Sequence, residues 1–294
     1  MNDTVEPYLK RSIIALSTIT FCYAAFQGLC LSLAPLSMAD QGLSKTAIGL
    51  LLAVPGLTAL LFGAPLARMA NTRWRRGTLT CCFVLTAAAS LLYGRALHPL
   101  AFVVPQLLFG LSSSAFWSNM LATSFRLNQG LRQAKIQTYV TMMQGIGAFA
   151  GPLLGGYLST RSYQVGFYAG LLVAVIGLIA SRLVQPSQPI EMVESGREFV
   201  LGAYVRLFRV VTRRPIVIVG MCFVAINCFL LYVMGGSFYL LYAGQIGLSA
   251  FIATTLVAGR DAISAVLRLG FGAISRYMSP VACWAWARPW VRSA

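Results

Sequence analysis

Charged residues are scarce in this chain. Only 10% of its 294 residues are Asp, Glu, Lys or Arg, only seven are acidic, and 58% are apolar. The mean hydropathy of +0.74 lies above that of ordinary soluble domains. The sequence therefore predicts a protein whose surroundings are the lipid bilayer.

Residues that carry metal, redox or hydrolytic chemistry are also few. His98 is the only histidine, and the seven cysteines show no C-x-x-C spacing and lie mostly inside apolar segments. This pattern predicts no metal site, no cofactor and no catalytic triad, and it indicates that the cysteines are packing residues. The sequence also lacks a phosphate-binding G-x-x-x-x-G-K-[ST] loop. We therefore expect neither an enzyme nor an ATP-driven pump.

Long apolar segments dominate what is present. A hydrocarbon core of about 30 Å needs ~20 mostly apolar residues per helix, and eight segments meet that description. They are Ser12–Leu36, Thr46–Ala67, Gly77–Leu97, Ala101–Thr123, Gln137–Leu158, Tyr163–Val184, Pro215–Tyr242 and Ser249–Gly272. A transmembrane β-barrel would instead show ~10-residue alternating segments, and a signal peptide would have a shorter apolar core. The fold class predicted is an all-α polytopic membrane protein.

The basic residues predict its orientation. Of the 23 Lys and Arg residues, only Lys45, Arg95 and Arg161 fall in odd-numbered loops, and only Arg260 and Arg268 fall inside a span. All the others lie in even-numbered loops or at the termini, so the positive-inside rule places both termini in the cytoplasm of a bacterial-type inner membrane. Because the net charge of +16 is divided among apolar segments, it indicates topology rather than a nucleic-acid partner.

A polar stretch divides the spans into two unequal groups. We predict an N-terminal six-helix unit over 1–184, a cytoplasmic linker over 185–214, two further helices over 215–279, and a Trp- and Arg-rich tail over 280–294. Within the linker, 199–213 has the pattern of an amphipathic helix. Such a helix could lie on the anionic cytoplasmic leaflet or pack as a solvated linker on the bundle.

This plan of six helices, a linker and further helices resembles the major facilitator superfamily, and the loop after the second span is similar to the family's G-x-x-x-D-R-x-G-R-R loop. Here the segment from Gly63 to Gly77 carries Arg68, Arg73, Arg75 and Arg76, with Arg68 about where the family has an acid. The resemblance implies that this loop holds neighbouring helices together as two halves rock, although the acidic partner is missing.

The fifth span carries the most specific motif. Gly147, Gly151, Pro152, Gly155 and Gly156 match the G-x-x-x-G-P-x-x-G-G pattern of exporters in that superfamily. Glycines every four residues form a smooth helix face that permits close approach of another helix, and proline can bend the helix. The resemblance implies outward transport.

A short repeat also fits the resemblance, because superfamily members are built from two related halves. Phe62-Gly63-Ala64 closes the second span, Phe271-Gly272-Ala273 closes the eighth, and Arg276 follows the second copy. The eighth span would then be the counterpart of the second.

Arg260 and Asp261 are the candidate chemistry inside the spans. If the eighth helix begins at the capping residue Ser249, Arg260 lies roughly 16 Å along it, near the bilayer midplane. Charge at that depth is expensive, so it is a functional candidate. Asp261 could carry a coupling proton, Arg260 could bind an anionic solute, or both could be ion-pair partners that hold helices together.

Polar side chains of other spans are candidates for lining a solute pathway. Gln106, Ser113 and Trp117 share one face of the fourth span with Gly110. Further candidates are Tyr23, Gln27, Gln144 and Asn227, although hydrogen bonding between helices is an alternative role for each. Exporters that the chain resembles often carry arginine near the position of Gln106, and its absence weakens any claim of proton antiport.

Two functional hypotheses follow. The first is a secondary transporter that moves a small organic solute by alternating access, as the resemblance implies, with protons as a possible coupling ion. The second is a non-transporting membrane remnant, since only two predicted helices follow the linker. The composition changes abruptly in the tail over 280–294, which predicts a frameshift or a premature end of the coding sequence. The sequence itself does not identify the solute.

Overall fold

A computed structural model of the chain describes residues 5–70, 75–127, 131–184 and 215–274, with single linker positions at 202, 205, 208–209 and 212–213. Over these residues the chain is helical and contains no strand. The elements are α1 Val5–Asp40, α2 Lys45–Ala70, α3 Arg75–Arg95, a 3-10 turn Pro99–Phe102, α4 Val103–Leu127, α5 Leu131–Ser159, α6 Tyr163–Leu183, α7 Pro215–Cys228, a π-helical stretch Phe229–Phe238, α8 Tyr239–Gln245 and α9 Ala250–Ile274.

The prediction of an all-α polytopic membrane protein is confirmed. Each of the eight predicted apolar segments coincides with a helix or with consecutive helical elements. Within the described ranges, five helical segments are long and apolar enough to cross a membrane. They are Arg11–Asp40, Lys45–Ala70, Arg76–Arg95, Pro99–Thr123 and Tyr163–Leu183.

The predicted spans in α5, α7–α8 and α9 are not among these five. The seventh predicted span, which we expected to be one helix, changes hydrogen-bond register at Phe229 and runs as a π-helix to Phe238 before the α-helix resumes. A π-helical stretch has no clear compositional signature, and such stretches are frequent at functional sites.

Several sequence predictions concern residues that the structure does not describe. The tail over 280–294, Arg73, Arg276, most of the proposed amphipathic helix over 199–213, and the side chains of Arg75 and Asn227 lie outside the described residues. Val205 and Phe208, which are described, are helical and exposed.

Helix α1 lies at the centre of the first six helices. In an apolar 18-residue stretch of α1 61% of the residues are buried, against 11% in the corresponding stretch of α2. A helix that is apolar on all sides is stable when it is surrounded by other helices or by lipid, and α1 packs mainly against α5 and α6. The surface of α2 is instead rich in exposed large side chains such as Leu50, Leu57 and Leu60, as expected for a helix facing lipid.

Side-chain contacts join separate segments of the chain at opposite ends of the bundle. At one end, which we name the Gln41 end, the Gln41 amide nitrogen donates to the Ala96 carbonyl at 2.8 Å and so joins the α1–α2 and α3–α4 connections. At the other, the Arg76 end, the Arg76 guanidinium donates to the Arg182 carbonyl at 2.6 Å, in the last turn of α6. A cation there complements the negative end of the helix dipole.

Glycines of α5 form the surface on which α1 packs. Gly147, Gly151 and Gly155 recur every four residues along it. A Cβ atom at Gly147 would lie 2.5 Å from the Phe21 carbonyl oxygen, and one at Gly151 would collide with the Ala25 carbonyl oxygen. Only glycine lets the two backbones approach this closely, and such small-residue contacts are how helices associate in lipid.

A second face of α5 packs against α9. A Cβ atom at Gly145 would lie 2.5 Å from the Ala265 Cβ, and one at Gly156 would lie 2.8 Å from the Thr254 Cβ. Gly155 and Gly156 are adjacent, so they point about 100° apart around the helix. The pair therefore serves two neighbours, with Gly155 against α1 and Gly156 against α9.

We predict that Gly151→Ala destabilises the protein, because the new methyl group meets backbone atoms that cannot rotate away. Overpacking of this kind costs about 1–3 kcal/mol, which corresponds to a fall in melting temperature on the order of 5 °C. Thermal unfolding of the purified protein in detergent measures the change.

Gly56→Ala is the matched control. A Cβ atom at Gly56 meets nothing within 4 Å, so the better helix propensity of alanine should leave the melting temperature unchanged or slightly raised. Equal melting temperatures for the two variants would show that the α1–α5 contact does not require glycine at position 151.

Candidate functional site

A small polar cavity lies where α1, α5, the π-helical stretch and α9 meet. Its volume is about 40 Å³, enough for a few water molecules at roughly 10–15 Å³ each. Its lining residues are Ala24, Gln27, Gly28, Leu31 and Ser32 of α1, Gln144, Ala148 and Pro152 of α5, Gly236 of the π-helical stretch, and Val257, Arg260 and Asp261 of α9. We refer to it as the central cavity.

Two amide side chains from different helices, those of Gln27 and Gln144, line this cavity. Gln27 and Gln144 are both half-buried, and neither amide hydrogen-bonds to another of the described residues. Each amide offers two donors and one carbonyl acceptor. They are therefore available to a polar molecule that enters the cavity.

The proline of the α5 motif contributes to the same wall. Pro152 has no N–H, so the carbonyl of Ala148 loses the donor that an α-helix normally gives it. Both residues line the cavity, and Pro152 packs on Gly28, where a Cβ atom would lie 2.8 Å from the Pro152 Cδ and 3.2 Å from the Ala148 oxygen. Gly28 thus leaves room for the proline, and Ala148 supplies an additional acceptor.

An ion pair closes the cavity on the α9 side. The Arg260 guanidinium donates to the Asp261 Oδ1 from Nε at 2.9 Å and from a terminal nitrogen at 2.8 Å. Adjacent helical residues need not meet, yet here they form a pair, with side chains 32% and 22% exposed. The backbone N–H of Ile252 donates to the Ser249 hydroxyl at 3.3 Å, so the predicted cap fixes the start of α9 and the depth of this pair.

The structure places other predicted pathway residues elsewhere. Tyr23 is fully buried and stacks on Phe116, with ring centroids 4.0 Å apart. Trp117 meets the Tyr23 ring edge-on at 6.2 Å, and the Tyr23 hydroxyl lies 3.4 Å from the Ser112 hydroxyl. These side chains belong to the core between α1, α3 and α4, where Ser113 is half-buried near them on α4.

Gln106 lies apart from the central cavity, in a second and larger one. Gly110, one turn further along the same face of α4, packs against α2, and a Cβ atom there would lie 2.7 Å from the Pro55 Cα. In the basic segment after the second span, Arg68 is half-buried and Arg76 is exposed. A Cβ atom at Gly63 would meet nothing within 4 Å. Gly272 lies in the last turn of α9.

Sequence reasoning did not identify seven of the described cavity residues, which are Ala24, Gly28, Leu31, Ser32, Ala148, Gly236 and Val257. The Ser32 hydroxyl donates to the Gly28 carbonyl at 2.8 Å. Ser32 lies four residues after Gly28 and so on the same face of α1, a spacing that is visible in the sequence. Ala148 and Gly236 contribute through backbone placement. No side-chain pattern marks such positions.

Comparison with known proteins identifies the family of this chain. No curated protein matches the chain closely enough to count as a relative. The sequence model described as "Major Facilitator Superfamily" matches residues 16–289, which includes every described helix from α2 to α9 and most of α1. The chain therefore belongs to the Major Facilitator Superfamily, a family of membrane solute transporters.

Proposed function

We propose that this protein is a secondary transporter that exports a small organic solute by alternating access, with the central cavity as its solute site and Asp261 as its coupling group. The observation that supports the proposal most directly is the composition of that cavity. Amides, a carbonyl freed by proline and an ion pair meet there from three helices.

The size of the cavity bears on the mechanism. At about 40 Å³ it is too small for an organic solute, because ligand pockets typically measure about 300–1,000 Å³. Its walls come from helices before and after the linker, so separating α9 from α1 and α5 would enlarge it. The arrangement fits a closed state of an alternating-access cycle.

Asp261 is suited to coupling because its carboxylate lines the cavity and forms an ion pair with Arg260 of the same helix. When Asp261 accepts a proton, its charge-assisted bond to Arg260 weakens, and a solute that contacts Arg260 would act on the same bond. Proton binding and solute binding would therefore change the same contact.

The direction of transport is inferred from α5. The smooth faces formed by its glycines adjoin both α1 and α9, and the resemblance of this segment to an exporter motif favours efflux. An inward-directed carrier would show the opposite sidedness in oriented vesicles.

We predict that Asp261→Asn abolishes proton-linked transport while retaining solute exchange, because asparagine keeps the shape of the side chain but cannot carry the proton. The measurement uses full-length protein in liposomes that contain a pH-sensitive dye, screened against neutral, cationic and anionic organic solutes. Proton-linked flux should fall by about tenfold or more, equivalent to about 1.4 kcal/mol.

Asp40→Asn is the matched control, since Asp40 is exposed at the end of α1.

The variant Arg260→Gln distinguishes the roles of Arg260 and Asp261. If it stops the exchange of anionic solutes only, while Asp261→Asn leaves proton coupling intact, Arg260 is an anion-binding residue and the coupling assignment is wrong. Absence of flux with every solute would remove support for transport by this chain.

We also predict that the Arg76 end faces the cytoplasm, because basic residues concentrate in the loops at that end. In a protein whose seven native cysteines are replaced, Thr160→Cys in the α5–α6 turn should react in intact cells with a membrane-impermeant maleimide. Leu183→Cys, at the end of α6, should react only after permeabilisation. The reverse pattern would invert the topology.

A further inference from the structure

A second cavity lies towards the Gln41 end of the bundle, apart from the central cavity. Its volume is about 150 Å³, and its walls come from α1, α2, α3, α4 and Ser237 of the π-helical stretch. Leu31 lines both cavities, and the Ser237 hydroxyl donates to the Leu31 carbonyl at 3.2 Å. The two spaces therefore adjoin at Leu31, and we name this second space the Gln106 cavity.

Gln106 is the principal polar group of the Gln106 cavity. Its side chain is 2% exposed, and no hydrogen bond joins its amide to any other residue in the part of the chain that the structure describes. Buried amides are normally hydrogen-bonded, because leaving their donors and acceptor unpaired is costly. A molecule in the cavity would satisfy this amide.

The remaining described walls are mostly apolar. Leu31, Leu52, Pro55 and Phe109 line the space, and the Tyr93 ring is held in place by stacking on Phe167, with centroids 5.1 Å apart and planes 14° from parallel. A cavity of about 150 Å³ with apolar walls is large enough for a benzene-sized ring. The volume, the apolar walls and the Gln106 amide together favour a ligand with a single ring and one polar substituent.

We propose that the Gln106 cavity is a binding site for a neutral, single-ring aromatic compound whose polar substituent hydrogen-bonds to the Gln106 amide. The carboxylate and guanidinium of the central cavity are absent from its described walls, which favours a neutral ligand. This inference goes beyond the proposed transport function, since binding here can be measured whether or not the compound is carried.

The test uses phenol and benzene as probes of the purified full-length protein in detergent. Saturation-transfer difference NMR measures their binding, with empty micelles as the blank. We expect both probes to give a protein-dependent signal. Gln106→Leu should weaken phenol binding by about tenfold, the effect of losing one hydrogen bond in a buried site, and should leave benzene binding within about twofold. Gln164→Leu, at an exposed position of α6, is the matched control.

Filling the cavity is a second, independent test. Leu52→Trp should abolish binding of both probes, whereas Leu172→Trp, on the exposed face of α6, should not. Equal phenol binding in wild type, Gln106→Leu and Leu52→Trp would overturn the proposal, as would binding of neither probe to the wild type.

If Leu52→Trp fails to elute as a folded protein on size exclusion, thiol protection replaces it. Cys30 lines the cavity and is buried, so in a variant with Cys30 as the sole cysteine, phenol should slow its reaction with N-ethylmaleimide. An unchanged reaction rate would count against the site. Because none of these measurements involves transport, their failure would leave the proposed transport function standing.

Discussion

A hydrocarbon interior provides no water to hydrogen-bond the backbone, and this constraint governs the rest of the structure. It makes the chain helical, since only helices and closed barrels satisfy their backbone groups in lipid. It also removes the usual hydrophobic driving force between helices, so association depends on close packing. The contacts of α5 with α1 and α9 meet that requirement with glycine instead of large side chains. The central cavity exists because these two contacts bring three helices together around Pro152.

The same constraint accounts for the placement of charge. Arg260 and Asp261 form an ion pair inside the bundle, where an unpaired charge would cost several kcal/mol. Arg76, at the edge of the bundle, donates to a helix-end carbonyl instead of to a carboxylate. The start of α3 therefore contacts α6 at the end of that helix.

Much of the fold could be predicted from the sequence because span length and loop charge are local properties. Helix α6 begins at the predicted Tyr163, and α9 begins directly after the predicted cap at Ser249. Side-chain neighbours could not be predicted in the same way. Polarity alone suggested Tyr23 for the solute pathway, yet its ring packs in an aromatic core. Gln27 and Gln144 lie beside Arg260 only because α5 packs on α1 and α9, a relation between distant segments that no local pattern contains.

The glycine pair at Gly155 and Gly156 has a mechanical consequence. Interlocking side chains resist sliding, because displacement must lift each one out of its groove, whereas a glycine surface presents little relief. Small translations of packed helices past one another are the basis of shear motions in proteins. In the proposed alternating-access cycle, smooth surfaces towards both neighbours would let α5 shift along α1 or along α9 while few side chains change rotamer. The contact that holds the two groups of helices together would then also keep the energy barrier to their relative movement low.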